Sequence, residues 1–218
     1  MTASSATPAS IVPTIDAPTD QEYRKQIGQV VDFATRLHID VADGIMTPAP
    51  LVPIADVWWP GGVRADIHVM YQQPMEHLPA LIALGPQLVI FHAESEGSFQ
   101  VASETLRRHG IEAGVALMPE TPVSYIEGGL QWVDHVLIYS GSLGTFGGQA
   151  DLALLSKARQ LKNLKPQLEI GWDGGVNDRN ITELVKAGVD VLNTGGFIHK
   201  SHDPQAAYGT LERIVNDV

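Results

Sequence analysis

Leu37-His38-Ile39-Asp40-Val41-Ala42-Asp43-Gly44 sets an imidazole and a carboxylate two residues apart in a strand-like run that ends in an Asp-Gly turn. Successive side chains of an extended chain alternate faces, so His38 and Asp40 share one face and Ile39 and Val41 the other. A polar pair on a buried strand face is costly unless something binds it, and a divalent metal would bind it well. The same grammar recurs in Asp66-Ile67-His68-Val69-Met70 and in Glu169-Ile170-Gly171-Trp172-Asp173-Gly174-Gly175. The fold turns on whether these three strands meet.

Working outward, strand-like and helix-like patterns alternate along the chain. Strands are predicted over 10–13, 37–43, 65–71, 87–94, 112–118, 133–140, 167–173 and 190–194. Helices are predicted over 21–36, 75–84, 98–109, 122–129, 150–164, 181–187 and from 204 to 215. Asp20, Asp178 and Asp203-Pro204 supply helix starts, and Gly110 and Gly188 supply stops. Residues 44–62, with four prolines and the pair Trp58-Trp59, give no regular pattern. Eight strands, most followed by a helix, imply a parallel sheet closed into an α/β barrel, the (β/α)8 TIM fold. The expected organisation is a short tail, 1–9, and one barrel domain, 10–218. An open doubly wound sheet is the alternative, but no Gly-x-Gly-x-x-Gly follows the first strand.

A hydrophobic content of 44% in 218 residues is enough for a sizeable core, and 18% charged residues argue against disorder. The formal net charge of -11 is a poor match for nucleic acid or an anionic membrane. There is no cysteine, so any metal must be held by His, Asp or Glu. Residues 1–9 lack the basic and apolar regions of a signal peptide, and the apolar run 78–91 is broken by Gly85-Pro86. A soluble cytoplasmic protein is the expectation.

Barrel enzymes place their chemistry at the C-terminal strand ends. His38 and Asp40 on the second strand, His68 on the third and Asp173 on the seventh would converge there as a shell for Zn2+, Fe2+ or Mn2+, with positions left open. Four separately hydrogen-bonded polar residues are the alternative account. Glycine pairs follow three consecutive strands, at Gly147-Gly148, Gly174-Gly175 and Gly195-Gly196. Their backbone amides could cradle a phosphate, although each pair alone is ordinary turn chemistry.

Together with Phe146-Gly147-Gly148-Gln149, Trp172-Asp173-Gly174-Gly175-Val176 and Thr194-Gly195-Gly196, the second- and third-strand motifs resemble the motif set of the ribulose-phosphate 3-epimerases. Phe91-His92-Ala93-Glu94 and Ala113-Gly114-Val115-Ala116-Leu117 resemble that family's fourth and fifth strands, and the match runs in order over 10–215. The resemblance implies an epimerase that inverts C3 of a ketopentose 5-phosphate, interconverting D-ribulose 5-phosphate and D-xylulose 5-phosphate. Its implied metal ligands are His38, Asp40, His68 and Asp173, and its implied proton carriers are Asp40 and Asp173. His68, Phe146, Gly147, Gly148, Gly174, Gly175, Gly195 and Gly196 are the implied substrate and phosphate contacts. The implied cofactor is one divalent metal ion, Zn2+ first, with Fe2+, Mn2+ or Co2+ as alternatives. A homo-oligomer is expected, as in relatives.

Three places depart from the pattern. Pro13 stands where relatives carry a substrate-contacting serine, with Thr14 next to it as a substitute. Ala42 replaces a methionine and would open space beside the metal. The loop running 139–146 is longer than the family's. These changes bear on which sugar is bound, leaving a 3-epimerase for D-allulose 6-phosphate, or a non-catalytic sugar-phosphate-binding barrel, as competing readings. A decarboxylase or synthase of the same barrel class would need an Asp-x-Lys pattern on the third strand, where this chain has Asp66-Ile67-His68. Asp66 reads equally as a support for His68 or as a structural acid. His92 and Glu94 share a face at the pocket's edge, where a structural role is at least as well supported, and His77, His109, His135, His199 and His202 read as structural or solvated.

Overall fold

A computed structural model describes residues 8–141 and 148–218. Eight parallel strands close in sequence order into a barrel, β8 returning to pair with β1. They are β1 (Ser10–Ile15), β2 (Arg36–Ala42), β3 (Arg64–Met70), β4 (Leu88–His92), β5 (Glu112–Leu117), β6 (His135–Tyr139), β7 (Glu169–Asp173) and β8 (Val191–Thr194). The helices are α1 (Asp20–Val30), α2 (Leu78–Leu84), α3 (Phe99–Arg108), α4 (Leu155–Leu164), α5 (Ile181–Lys186), α6 (Gly196–His199) and α7 (Pro204–Asn216). This is the (β/α)8 barrel expected from the alternation.

Strand alternation sorts the side chains into two populations. Leu37, Ile39 and Val41 of β2, with Ile67 and Val69 of β3, face outward into the core shared with the helices. Inside the barrel, Leu88, Ile90, Ala116 and Leu137 form a separate apolar plug. Below it, the barrel floor is ionic. The buried Arg36 donates to Asp66 through Nε at 2.7 Å and to both Glu169 oxygens at 2.9 Å, while His135 Nδ1 lies 2.7 Å from Glu169. Asp66 is therefore a structural acid, and His135 is structural as expected.

The boundaries differ where tertiary contacts override local preference. The first helix ends at Val30 rather than 36, because Arg36 is drawn into β2 by its two carboxylate partners. Its N-cap is Thr19, whose hydroxyl accepts from the Glu22 amide, not Asp20. The cap of α5 is Asn180 rather than Asp178, since Asn180 Oδ1 accepts from the Asn177 amide and closes that turn. Pro79 splits the expected 75–84 helix into a 3-10 turn, Pro74–His77, followed by α2. Gly128-Gly129 leave 122–129 as part of two 3-10 turns, Val123–Tyr125 and Glu127–Trp132. The stretch 44–62 is mostly irregular, with a single 3-10 turn at Ile54–Asp56. It is tied down by Val52 donating to the Ala17 carbonyl and by the Tyr23 hydroxyl donating to Trp58 O at 2.5 Å. Trp58, 37% exposed, packs edge-on against Tyr23 over the outside of α1.

Candidate active site

The β2–β3 register pairs Asp40 with His68, and Thr14 of β1 pairs with His38. That register sets His68 beside Asp40 on the inward face, with His38 two residues before Asp40 on the same face and beside Asp66. Asp173, last residue of β7, reaches in from across the mouth. One ligand atom from each of His38, Asp40, His68 and Asp173 lies within 4.8 Å of all the others. His68 Nδ1 is 2.9 Å and His38 Nε2 3.1 Å from the same oxygen, Asp40 Oδ1. Asp173 Oδ2 stands 3.7 Å from His38 Nε2 and 4.0 Å from His68 Nδ1.

His38 decides whether a cation fits. Its ring is fully buried, and neither nitrogen has a hydrogen-bond partner, although Nε2 lies so near Asp40. A protein rarely leaves a buried imidazole nitrogen orphaned. Two imidazoles and two carboxylates suit several divalent ions.

The electrostatics divide the two carboxylates. Burial opposes charge on Asp40, but His38 beside it and the hydrogen-bonded His68 hold its carboxyl well below the usual range. Burial pushes Asp173 up to about 7, with the charges of Asp40 and Asp16 adding to the rise. Burial pushes His68 down to about 4, so its ring is neutral. Burial also disfavours a charged His38, yet Asp40 and Asp173 raise it above the ordinary histidine value. At neutral pH Asp40 is thus ionised, while Asp173 in the same small site is poised between its protonated and ionised forms.

Beyond the four, His92 takes a place that its sequence context left open. Its Nε2 lies 2.8 Å from His68 Nε2, and its Nδ1 3.3 Å from Glu94 Oε2. The other Glu94 oxygen accepts from the Met118 amide and the Thr121 hydroxyl. Lys157 in turn ties down that loop by donating to the carbonyls of Met118, Pro119 and Thr121. Space beside Ala42 is filled by an apolar cluster of Met70 and Tyr139 with Met46, Leu51 and Met118 packed against it, so it does not enlarge the site.

A cavity of about 290 Å³ opens over the cluster. Asp40 and Asp173 line its base, and Gly148, Gly174, Gly175, Gly195 and Gly196 line its side. Phe146 and Gly147 lie outside the described residues. Gly174 and Gly175 have φ of +112° and +70°. A Cβ on the first would strike the Ser140 carbonyl, and on the second the Gln149–Ala150 peptide. These two glycines therefore let the segment after β6 close onto β7 beside the cavity. Thr14, Asp16, Tyr139, Asn193 and Lys200 also line it; of these, Thr14 and Tyr139, the latter at the start of the 139–146 loop, drew attention in the sequence. The polar Asn193, two residues after Val191 on the same strand face, was the signal available for it.

Comparison with known proteins bears on this geometry. The family model described as "Ribulose-phosphate 3 epimerase family" matches residues 10–199. The chain belongs to that family. Ribulose-phosphate 3-epimerase of Helicobacter pylori is 34% identical over 213 residues, covering 94% of this chain and 97% of that protein. The Bacillus subtilis enzyme of the same name is 31% identical over 190 residues, covering 80% and 84%. Among solved structures, 3-keto-L-gulonate-6-phosphate decarboxylase of Vibrio cholerae has a TM-score of 0.73 at 11% identity, covering 97% of this chain and 99% of that one. A 3-hexulose-6-phosphate synthase has a TM-score of 0.71 at 19% identity, covering 94% and 98%. Those structural likenesses speak for the barrel alone. Among the described residues, no helix is long and apolar enough to cross a membrane.

Proposed function

We propose that this epimerase-family enzyme is metal-dependent and interconverts D-ribulose 5-phosphate and D-xylulose 5-phosphate by proton transfer at C3, through an enediolate. The observation that carries the reading is the buried cluster of His38, Asp40, His68 and Asp173, with its orphaned His38 nitrogens and its two carboxyls shifted in opposite directions from the usual carboxylate range.

Those four residues would hold the cation, Zn2+ first among the candidates. When bound, it would supply a Lewis acid for the negative charge that develops on the sugar oxygens. Every proton movement falls to the protein. Asp40, kept ionised by its imidazole neighbours, takes the C3 proton from one face. Asp173 returns a proton to the other face, and the roles reverse in the back reaction. The carboxylates sit on β2 and β7, three strands apart around the barrel, which suits attack from two faces of a planar intermediate. A carboxylate has two oxygens, so one can face a cation while the other exchanges the proton.

With a cation held there, His68 would offer it Nδ1 and carry its ring proton on Nε2. Nε2–H would then donate to His92 Nε2, and His92 Nδ1–H to Glu94, fixing the tautomer of His68. The amides at Gly148, Gly174, Gly175, Gly195 and Gly196 are the phosphate contacts.

The test is turnover of D-ribulose 5-phosphate, read by coupled detection of D-xylulose 5-phosphate with and without chelator. Chelator-sensitive turnover supports the reading. Full turnover in a thoroughly stripped protein refutes the metal dependence, and turnover of D-allulose 6-phosphate alone moves the assignment to that ketose.

A further inference from the structure

Seven buried side-chain polar atoms lack a hydrogen-bond partner, on five residues among those described: Thr14, His38, Asp66, His135 and Asn193. Three of the five are accounted for. His38 belongs to the cation cluster, and Asp66 and His135 belong to the ion-paired barrel floor. Thr14 and Asn193 are left over, and both line the cavity.

Their placement is specific. Asn193 is 2% exposed, and neither end of its amide is paired. It sits beside Asp173 in the β7–β8 register and beside Val12 in the β8–β1 register. Thr14, 4% exposed, lies two residues beyond Val12 on the same face and pairs with His38. The two side chains thus form one wall, running from Asp173 to His38. Gly174, Gly175, Gly195 and Gly196 lie on the same cavity. A buried amide with no partner is destabilising in the free protein, and a ligand that supplies both partners removes that cost. An amide offers donors and an acceptor, and a hydroxyl group answers both.

We propose that Asn193 and Thr14 are a specificity-determining pair that hydrogen-bonds the hydroxyl groups of the substrate's carbon chain, on the stretch between the reacting carbon and the phosphate. The inference rests on the ketose-phosphate reading of the same cavity and names what selects the sugar within it. Neither residue exchanges a proton with substrate. Both act on how firmly the polyhydroxylated chain is held, so their loss raises KM and leaves kcat nearly unchanged.

The experiment compares metal-loaded wild type with Asn193→Leu, Asn193→Ala and Thr14→Val. It measures KM, kcat, inhibition by inorganic phosphate and the unliganded Tm. Two neutral hydrogen bonds lost at Asn193 correspond to about a ten- to hundredfold rise in KM, and one at Thr14 to about a three- to tenfold rise. The kcat should stay within about threefold and phosphate inhibition should be unchanged, because the glycine amides are untouched. Unliganded Asn193→Leu should melt no lower than wild type, since it removes two unpaired polar atoms.

Unchanged KM in both Asn193 variants overturns the proposal, and an accompanying fall in Tm would show the amide to be held by buried water for structure alone. Failure of the epimerase reading looks different: wild type then turns over neither ketose phosphate. The subsite remains measurable as the Tm shift given by D-ribulose 5-phosphate or D-allulose 6-phosphate, which Asn193→Leu must diminish. A wild type stabilised by neither sugar overturns the proposal as well.

Discussion

Loading a divalent cation into chelator-stripped protein should release protons, and more of them at pH 6 than at pH 8. Asp173, with its carboxyl pushed up to about 7, is about nine-tenths protonated at pH 6 and about one-tenth at pH 8. Ligation requires the ionised form, so this group alone gives up about 0.9 proton at pH 6 and about 0.1 at pH 8, a difference of about 0.8. Asp16, also raised to about 7 by burial and by Asp40, would add to the difference if the cation's field reaches it. His38 is held above its ordinary value, so whatever it releases is at least as large at the lower pH. Asp40, ionised at both, and His68, neutral at both, contribute nothing. Calorimetric titration with Zn2+ in two buffers of different ionisation enthalpy counts the protons at each pH. Equal release at pH 6 and pH 8, within about 0.2 proton, would refute the assignment of a protonated Asp173.

Asp173→Asn should abolish epimerisation yet stabilise the metal-free protein at pH 8, by up to about 4 kcal/mol, the cost of ionising a carboxyl raised from 3.8 to about 7. The sign follows from the raised value: this group's favourable contribution is complete below the unfolded value and is lost as pH rises through about 7, so the gain in Tm should vanish near pH 4. On the barrel floor, Glu169→Gln strands part of the charge of Arg36, whose side chain is 8% exposed. Because Asp66 remains and Glu169 is itself 34% exposed, about 2–3 kcal/mol is expected, or a fall in Tm of about 5–10 °C by circular dichroism. Burial opposes the ionised Glu169, but His135 and Arg36 hold its carboxyl below the usual range, so its stabilisation is present above about pH 5 and lost on acidification. The variant's deficit should therefore shrink as pH falls. Gly171→Ala would set a Cβ 2.5 Å from His135 Nε2 and 3.0 Å from a Leu137 methyl, costing about 1–3 kcal/mol; an unchanged Tm would mean the floor is looser than its geometry.

Much of this molecule could be read before its coordinates. Period-two alternation in 37–43 and 65–71 put His38, Asp40 and His68 on one face, and barrel closure then required them to meet Asp173. The residues that were harder to read act through non-local partners. Nothing near Arg36 in sequence announces that Asp66 and Glu169 will draw it out of a helix. The role of His92 depends on a contact with His68, 24 residues away, and on a glutamate held by the next strand's loop. The four-residue helix Gly196–His199 was hidden by the glycine pair at its start, which reads locally as a turn. Thr14 was legible as the hydroxyl beside Pro13, and its inward direction follows from the register with His38. Asp16 and Asn193 join the cavity only because β1 closes against β8.

The central claim is that Asp40 and Asp173 exchange the C3 proton from opposite faces. It is tested most directly by proton NMR of D-ribulose 5-phosphate with the metal-loaded protein in D2O. The account predicts D-xylulose 5-phosphate carrying deuterium at C3, and no product from Asp173→Asn. Product that retains protium at C3, or undiminished turnover by Asp173→Asn, would contradict it.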